Sequence, residues 1–289
     1  MTPRVGFIGV GKIGRPMAAR LVAAGLDPLV YDVAADAVQA LVGAGARGAA
    51  SAREVGERCD VIGVCVPADA HVRAVCEGPD GVFAGARPGT VVAIHSTVRP
   101  ATVRALGEAG AARGVGVVDA CISGGEIGAA EGTLVYMVGG DAAHVERCRP
   151  AFEASAKRIV HTGALGTGTL MKLCNNLMSY VTFRATYEAC RLAQGMGLPD
   201  GLLEEVTSAG GILSTPMQRY LNIPQMAPEV VADATLQAKL TEYLDIGDKD
   251  MAIALEAAAE LGLDLPAARL CAERMAETYR VVKPPSAAT

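Results

Sequence analysis

The chain has 289 residues and a formal net charge of −5, with 26 basic and 31 acidic residues mixed along its length. The sequence contains no run of about 18 apolar residues, which a membrane-spanning helix would require. It also contains no basic cluster of the kind that indicates nucleic-acid binding. The eight cysteines form no Cys-x-x-Cys pair and have no histidine at ligand spacing. We therefore expect buried thiols in a reducing compartment and no metal site. The first residues lack a signal-peptide pattern, so we expect a cytoplasmic protein.

Six short apolar runs in the first half of the chain predict β-strands. Most are nearly continuous Val, Ile and Leu, which is typical of strands covered on both faces in a parallel sheet. Helical patterns separate them, including a capping box from Ser51 to Glu54 and a helix that begins at Pro100. This alternation predicts a doubly wound α/β domain over residues 1–163. The predicted strands are 5–9, 29–32, 61–66, 91–94, 115–119 and 134–138.

The second half of the chain has a helical pattern. An apolar face recurs from Thr169 to about Met196 and stops before Gly197, which predicts a helix of about seven turns joining the two halves. No convincing strand follows, so we predict an all-helical domain over residues 164–289. Its further predicted helices are 201–209, 216–221, 230–245, 248–262 and 266–280.

A glycine-rich turn follows the first predicted strand and precedes a helix. Gly9, Gly11 and Gly14 have the Gly-x-Gly-x-x-Gly spacing of a Rossmann-type dinucleotide-binding turn. In such a turn the first glycine permits the tight bend, the second lets a pyrophosphate approach the backbone, and the third packs helix against strand. Free N–H groups at the helix start would bind the phosphates. Further candidate cofactor contacts are Lys12, Ile13, Val66 and Pro67.

Asp32 indicates which dinucleotide binds. It ends the second predicted strand, 18 residues after Gly14, where a carboxylate accepts hydrogen bonds from the ribose hydroxyls and repels a 2′-phosphate. Residues 33–35 are Val-Ala-Ala and offer no arginine for that phosphate. We therefore expect NAD as the cofactor, with NADP disfavoured. The alternative is that Asp32 only caps the following helix.

Lys172 and Asn176 are candidate catalytic residues. Oxidising an alcohol requires a base for the hydroxyl proton while a hydride leaves carbon. A lysine that is neutral near pH 7 needs a pKa about three units below ~10.4, equivalent to about 4 kcal/mol. Burial, the positive nicotinamide ring and Lys249 would each lower that pKa. Asn176 lies one helical turn later on the same face and would orient the amine or the substrate hydroxyl. The alternative for Lys172 is a surface lysine at an ordinary helix start.

Ser123, Gly124 and Gly125 are candidate substrate-binding residues. Their hydroxyl and successive backbone N–H groups would form a nest for a carboxylate, although the segment is also compatible with a plain turn.

Two segments, 119–140 and 166–176, together with the glycine-rich turn resemble the β-hydroxyacid dehydrogenases, the group of 3-hydroxyisobutyrate dehydrogenase and tartronate semialdehyde reductase. The resemblance extends from residue 5 to residue 251. It implies that Lys172 is the acid/base, that Thr97 touches the nicotinamide end and that Lys249 reaches cofactor and substrate. It also implies a small 3-hydroxy carboxylate substrate and a homodimer or homotetramer. For Lys249 the alternative is a solvated lysine at a helix end.

Three residues depart from the family pattern and leave the exact substrate open: Cys121 replaces the usual Pro, His95 an acid or amide, and Ile13 a Met. His95 would alter the charge near the nicotinamide or have only a structural role. The alternative functions are an imine reductase, a class that generally replaces the lysine, and an inactive nucleotide-binding scaffold. Oxidative decarboxylation is disfavoured because Ser179 stands where that class has an acid.

Overall fold

The chain divides into two compact units, Met1–Lys172 and Leu173–Thr289. The computed structural model describes residues 2–282.

The first unit is built on one eight-stranded sheet in the order β3-β2-β1-β4-β5-β6-β7-β8. All neighbouring strands pair in parallel except β6 and β7, which are antiparallel. The central strands β1, β4 and β5 are buried along their whole length, as their uninterrupted apolar runs predict. The strands are β1 Val5–Ile8, β2 Leu29–Tyr31, β3 Arg47–Gly48, β4 Val61–Val64, β5 Val91–Ile94, β6 Gly116–Ser123, β7 Leu134–Gly139 and β8 Ala156–Gly163.

Helices cover both faces of this sheet. Successive residues of a strand point to opposite faces, and accordingly Val61 belongs to one hydrophobic cluster and Ile62 to another. The doubly wound α/β fold predicted from the sequence is confirmed. The helices are α1 Gly14–Ala23, α2 Ala35–Val42, α3 Ala52–Arg58, α4 Asp69–Glu77, α5 Val82–Gly85, α6 Pro100–Ala111, α7 Gly125–Glu131 and α8 Ala142–Glu153.

The predicted start of α3 is confirmed in detail. The Oγ of Ser51 accepts a hydrogen bond from the N–H of Glu54 at 3.1 Å. The Glu54 carboxylate in turn accepts one from the N–H of Ala50 at 2.8 Å. This reciprocal arrangement satisfies backbone donors that a helix start leaves without partners.

Two strands of the sheet are not among the predicted ones. β3 has only two residues, too few for a periodic signal. β8 lies at the edge of the sheet and carries Lys157 and Arg158, and most of its residues are exposed. A strand that is not covered on both faces does not require an apolar run, so the pattern used for the other strands does not detect it.

The helix α9, Thr167–Gly195, begins in the first unit and continues into the second, as predicted. Among the described residues of the second unit, every regular element is a helix. Its core is rich in aromatic side chains, including Phe183 stacked on Tyr220 with ring centroids 4.7 Å apart. Its other helices are α10 Leu202–Ala209, α11 Thr215–Gln225, α12 Pro228–Val231, α13 Ala234–Glu260, α14 Pro266–Glu273 and α15 Met275–Thr278.

The prediction of two helices at 230–245 and 248–262 is wrong, because α13 runs continuously through both. Gly247 lies mid-helix and is buried, with Met275 and Tyr180 next to the position where a Cβ would be. A Cβ at this position would make only ordinary van der Waals contacts with these side chains, and the helix continues through Gly247 without a break. Over the residues that the structure describes, no helix is sufficiently long and apolar to cross a membrane.

Candidate active site

The glycine-rich turn connects β1 to α1 and brings backbone segments very close together. Gly9 has φ +88°, and a Cβ there would lie 2.2 Å from the carbonyl oxygen of Cys65. A Cβ on Gly14 would lie 1.8 Å from the carbonyl oxygen of Gly9. Packing within the fold therefore requires glycine at both positions.

Gly11 has no such packing constraint. It is exposed, and a Cβ there would meet no described atom within 4 Å. The open side of Gly11 leaves the backbone accessible to a ligand. Next to it, α1 begins at Gly14, its N-cap residue Ile13 provides no side-chain cap, and its first turn contains no acid. The positive end of this helix therefore suits the phosphates of a dinucleotide.

Asp32 connects β2 to the glycine-rich turn. Its Oδ2 accepts a hydrogen bond from the N–H of Val10 at 2.7 Å, and its Oδ1 accepts one from the N–H of Ala34 at 2.9 Å. The helix α2 begins after Ala34 without a side-chain cap, so Asp32 does not fill the capping role considered above. The carboxylate is half-buried, and each of its oxygens has a further lone pair for a ribose hydroxyl.

The loops after β4 and β5 contain three more candidate residues, Val66, Pro67 and Thr97. The N–H of Val66 donates to the Oγ of Ser96 at 2.9 Å, which links the two loops. Because β1, β4 and β5 are parallel neighbours, these loops and the glycine-rich turn lie at the same edge of the sheet. Ligands bind at this edge in open α/β sheets.

The Ser123–Gly125 segment lies at the same edge, where β6 ends and α7 begins. Gly124 and Gly125 have φ values of +132° and +64°, which favour glycine. A Cβ on Gly125 would meet no described atom within 4 Å, and Glu126 is exposed in the first turn of α7.

Asp119 is a buried carboxylate that ends a predicted strand and begins the segment 119–140 of the family resemblance, but it is not among the predicted site residues. Its side chain is fully buried on β6, with Oδ1 accepting from the N–H of Gly166 at 2.8 Å and Oδ2 from that of Thr169 at 2.6 Å. Asp119 therefore binds the start of α9, three residues before Lys172. An acidic residue inside an apolar strand was the available signal, since a buried charge requires partners.

Cys121 is buried on the same strand. Its Sγ lies 3.7 Å from the carbonyl oxygen of Ser96 and 3.7 Å from the Oγ1 of Thr169. The cysteine that stands in place of the family's proline therefore packs inside the unit.

Lys172 is half-buried and Asn176 is buried, one turn apart on α9. The Nδ2 of Asn176 donates to Asp250 Oδ2 at 2.6 Å, and the Nζ of Lys249 lies 2.7 Å from Asp250 Oδ1. Lys249 is in the middle of α13, so the reading of a lysine at a helix end is wrong. Asp250 has no role among the predicted site residues, although it follows Lys249 directly in the segment where the family resemblance ends.

His95 belongs to the core of the first unit. It is stacked on Phe7 with ring centroids 5.7 Å apart, and its Nδ1 hydrogen-bonds to the carbonyl oxygen of Ala120 at 2.8 Å. Burial lowers the pKa of His95 to about 4, so the ring is neutral near pH 7. The expectation that it alters the charge near the nicotinamide is therefore wrong, and its role is structural.

The described residues contain no group of three or more His, Cys, Asp or Glu side chains that is arranged to hold a metal ion. Seven of the eight cysteines are buried or half-buried. Burial raises the pKa of the Cys65 thiol to about 12, which keeps it protonated.

Residues 4–163 match the NAD-binding domain of 6-phosphogluconate dehydrogenase, and residues 166–287 match the family described as NAD-binding of NADP-dependent 3-hydroxyisobutyrate dehydrogenase. The chain belongs to the β-hydroxyacid dehydrogenase family. This β-hydroxyacid dehydrogenase is thus a nicotinamide-dependent oxidoreductase that acts on hydroxyl groups, with NAD as its cofactor.

An NAD-dependent L-serine dehydrogenase of Pseudomonas aeruginosa is 42% identical over 210 residues, which are 72% of this chain and 70% of that protein. Among solved structures, Mycobacterium tuberculosis 3-hydroxyisobutyrate dehydrogenase with L-serine has a TM-score of 0.80 and 30% identity, covering 96% of this chain and 94% of that one. An imine reductase from Myxococcus stipitatus has a TM-score of 0.64 and 19% identity, covering 97% and 94%. This last likeness is one of fold alone.

Proposed function

We propose that this dehydrogenase oxidises a small 3-hydroxy carboxylate to its semialdehyde or ketone, with Lys172 as the acid/base. The candidate substrates are of the 3-hydroxyisobutyrate, glycerate or serine type. The observation that carries the proposal is the arrangement of α9, in which the buried Asp119 binds the first turn and Lys172 follows directly. The family relatives that act on 3-hydroxyisobutyrate or L-serine support the same substrate class.

We assign the cofactor to residues 1–163 and the proton chemistry to residues 164–289. The glycines at positions 9, 11 and 14 would hold the pyrophosphate against the start of α1, with Lys12 and Ile13 beside it. Asp32 would accept the ribose hydroxyls and disfavour a 2′-phosphate. Val66, Pro67 and Thr97 would line the nicotinamide end of the site. Bound NAD supplies the acceptor for the hydride.

The chain's own contribution to the chemistry is proton transfer and orientation. The neutral amine of Lys172 accepts the proton of the substrate hydroxyl as the C–H bond breaks and the carbonyl forms, and it returns the proton in the reverse reaction. Asn176 hydrogen-bonds to the reacting oxygen or to the amine and so fixes the distance for proton transfer. Lys249 is assigned to cofactor and substrate binding. A homodimer or homotetramer and a cytoplasmic location remain predictions.

The acid/base assignment is tested by Lys172→Ala. Turnover should fall by about 10² to 10⁴, the range that one general acid/base contributes, while NAD affinity changes little. Lys157→Ala is the matched control, because Lys157 is an exposed lysine on β8. Near-wild-type turnover of Lys172→Ala would show that another group moves the proton. No turnover by the wild type on any 3-hydroxy acid would instead favour the scaffold alternative.

The substrate class is tested by comparing a 3-hydroxy acid with its methyl ester at matched concentration. We propose that the carboxylate binds the N–H groups of the Ser123–Gly125 segment. Hydrogen bonds to a charged group are worth about 1.5–3 kcal/mol each. The ester lacks the charge, so it should be oxidised much more slowly than the acid. Equal rates would mean that this segment is only a turn. A substrate with an ammonium group, such as L-serine, could in addition approach Glu126.

A further inference from the structure

Asp250 is the most buried acid of α13, with 3% of its residue surface exposed. A carboxylate withdrawn from water is stable only when charged or polar partners surround it. Three side chains donate to it: Asn176 at 2.6 Å, Lys249 at 2.7 Å and Tyr180 at 3.3 Å. Two of the three are residues of the proposed site.

The hydrogen bonds fix which way the amide of Asn176 points. A side-chain amide has a donating NH₂ end and an accepting oxygen, whereas an ionised carboxylate only accepts. The Nδ2 of Asn176 must therefore face Asp250, because a flipped amide would place two oxygens 2.6 Å apart. The Oδ1 of Asn176 then faces the Nδ2 of Asn175, which donates to it at 3.2 Å.

Both oxygens of the Asp250 carboxylate have partners. Oδ2 accepts from Asn176 and Tyr180, while Oδ1 accepts from the ammonium group of Lys249. Burial, and then the negative charge of Asp250, raise the pKa of Tyr180 well above its usual value, so the phenol remains a donor. Asp250 thus holds the side chains of Asn176 and Lys249 in one hydrogen-bonded group.

We propose that Asp250 is a positioning residue for catalysis, which acts by setting the amide orientation of Asn176. The inference rests on the proposed function, since it assumes that Asn176 acts in turnover. Asp250 acts through the Asn176 amide, so its loss should reduce turnover more than it affects NAD binding at the glycine-rich turn. A purely structural link between α9 and α13 would affect stability without a specific loss of turnover.

The isosteric substitution Asp250→Asn separates the two roles. The new amide offers one acceptor where the carboxylate offered two, so it cannot hold Asn176 and Lys249 together. Misplacement of a reacting group can reduce turnover by about 10²-fold, and we expect kcat to fall about 10- to 100-fold with a much smaller change in the Kd for NAD. The assay is NADH formation by the full chain with 3-hydroxyisobutyrate or L-serine, whichever the wild type oxidises. Asp245→Asn is the matched control, since Asp245 is an exposed acid on the same helix.

A double-mutant cycle tests whether Asp250 acts through Asn176. In an Asn176→Ala background, Asp250→Asn should reduce kcat less than threefold further, because the amide that it positions is already absent. Additive losses in kcat would overturn the proposal, as would an unchanged kcat in Asp250→Asn. If Asp250→Asn does not give folded protein, Asp250→Glu serves in the same cycle, because it keeps the charge and displaces the carboxylate by one methylene. A loss of turnover in Lys172→Ala together with an unchanged kcat in either Asp250 variant would reject the positioning role alone and leave the proposed function intact.

Discussion

The anchoring of α9 by Asp119 leads to a prediction about stability and turnover. Asp119→Asn keeps the size and shape of the side chain but replaces one accepting oxygen with an NH₂ group. One of the two N–H groups, from Gly166 or Thr169, then faces a donor in place of an acceptor. Gly139 lies against this carboxylate, since a Cβ at that position would be 2.5 Å from Asp119 Oδ1.

The expected magnitude follows from these contacts. A hydrogen bond to a charged group contributes about 1.5–3 kcal/mol, and a buried donor without a partner costs a further 1–3 kcal/mol. We therefore expect Asp119→Asn to lower the free energy of unfolding by about 3 kcal/mol, measured by urea titration at pH 7. Lys172 follows Thr169 by three residues, so kcat should fall as the first turn of α9 loosens.

Asp141→Asn is a matched control for this experiment. Asp141 also accepts hydrogen bonds from the start of a helix, the N–H groups of Ala143 and His144, but it is exposed. Asparagine is as good an N-cap as aspartate, so the control should change stability by less than about 1 kcal/mol. An equal effect of the two substitutions would refute the argument that burial makes the Asp119 carboxylate indispensable.

Two further predictions concern the cofactor and the pH dependence of stability. NAD should bind at least about tenfold more tightly than NADP, equivalent to about 1.4 kcal/mol. Asp32→Ala should reduce this difference in affinity, and a measured preference for NADP would contradict the role of Asp32. Burial lowers the pKa of His95 from 6.5 to about 4. Between these two pH values the unfolded chain binds more protons than the folded chain, so the free energy of unfolding falls as the pH decreases from 6.5 towards 4. His95→Asn should therefore reduce the loss of stability between pH 7 and pH 5 by about 2 kcal/mol, and urea titrations that show the same loss in both proteins would mean that His95 is not buried as a neutral ring.

The sequence predicts those elements whose signal is local. The strands β1, β4 and β5 are buried on both faces, so their apolar runs are continuous and easily recognised. The edge strand β8 has no such run, and its assignment depends on pairing with β7. The single helix α13 is predicted as two segments, 230–245 and 248–262, and the side chains of Met275 and Tyr180 that pack near Gly247 are distant in sequence.

The same distinction applies to the candidate site. The glycine-rich turn is recognisable because its three glycines and the following helix form one continuous segment. The partners of the two buried carboxylates are mostly distant in sequence. The partners of Asp119 lie 47 and 50 residues away, and Asn176 lies 74 residues from Asp250. A buried carboxylate can be suspected from an acidic residue in an apolar segment, but its partners appear only in the folded chain.

These two carboxylates bind α9 on either side of Lys172, at Thr169 and at Asn176. Burying a carboxylate is costly, and apolar replacements of buried ionic groups are often neutral or stabilising. Stability alone therefore gives little reason to place acids at these two positions. Orientation of a reacting group is a better reason for a buried acid, because a displacement of about 1 Å can reduce turnover by about 10²-fold. The proposed role of Lys172 would account for the charged hydrogen bonds at Thr169 and Asn176, and it predicts that substitutions there affect kcat more than their cost in stability would indicate.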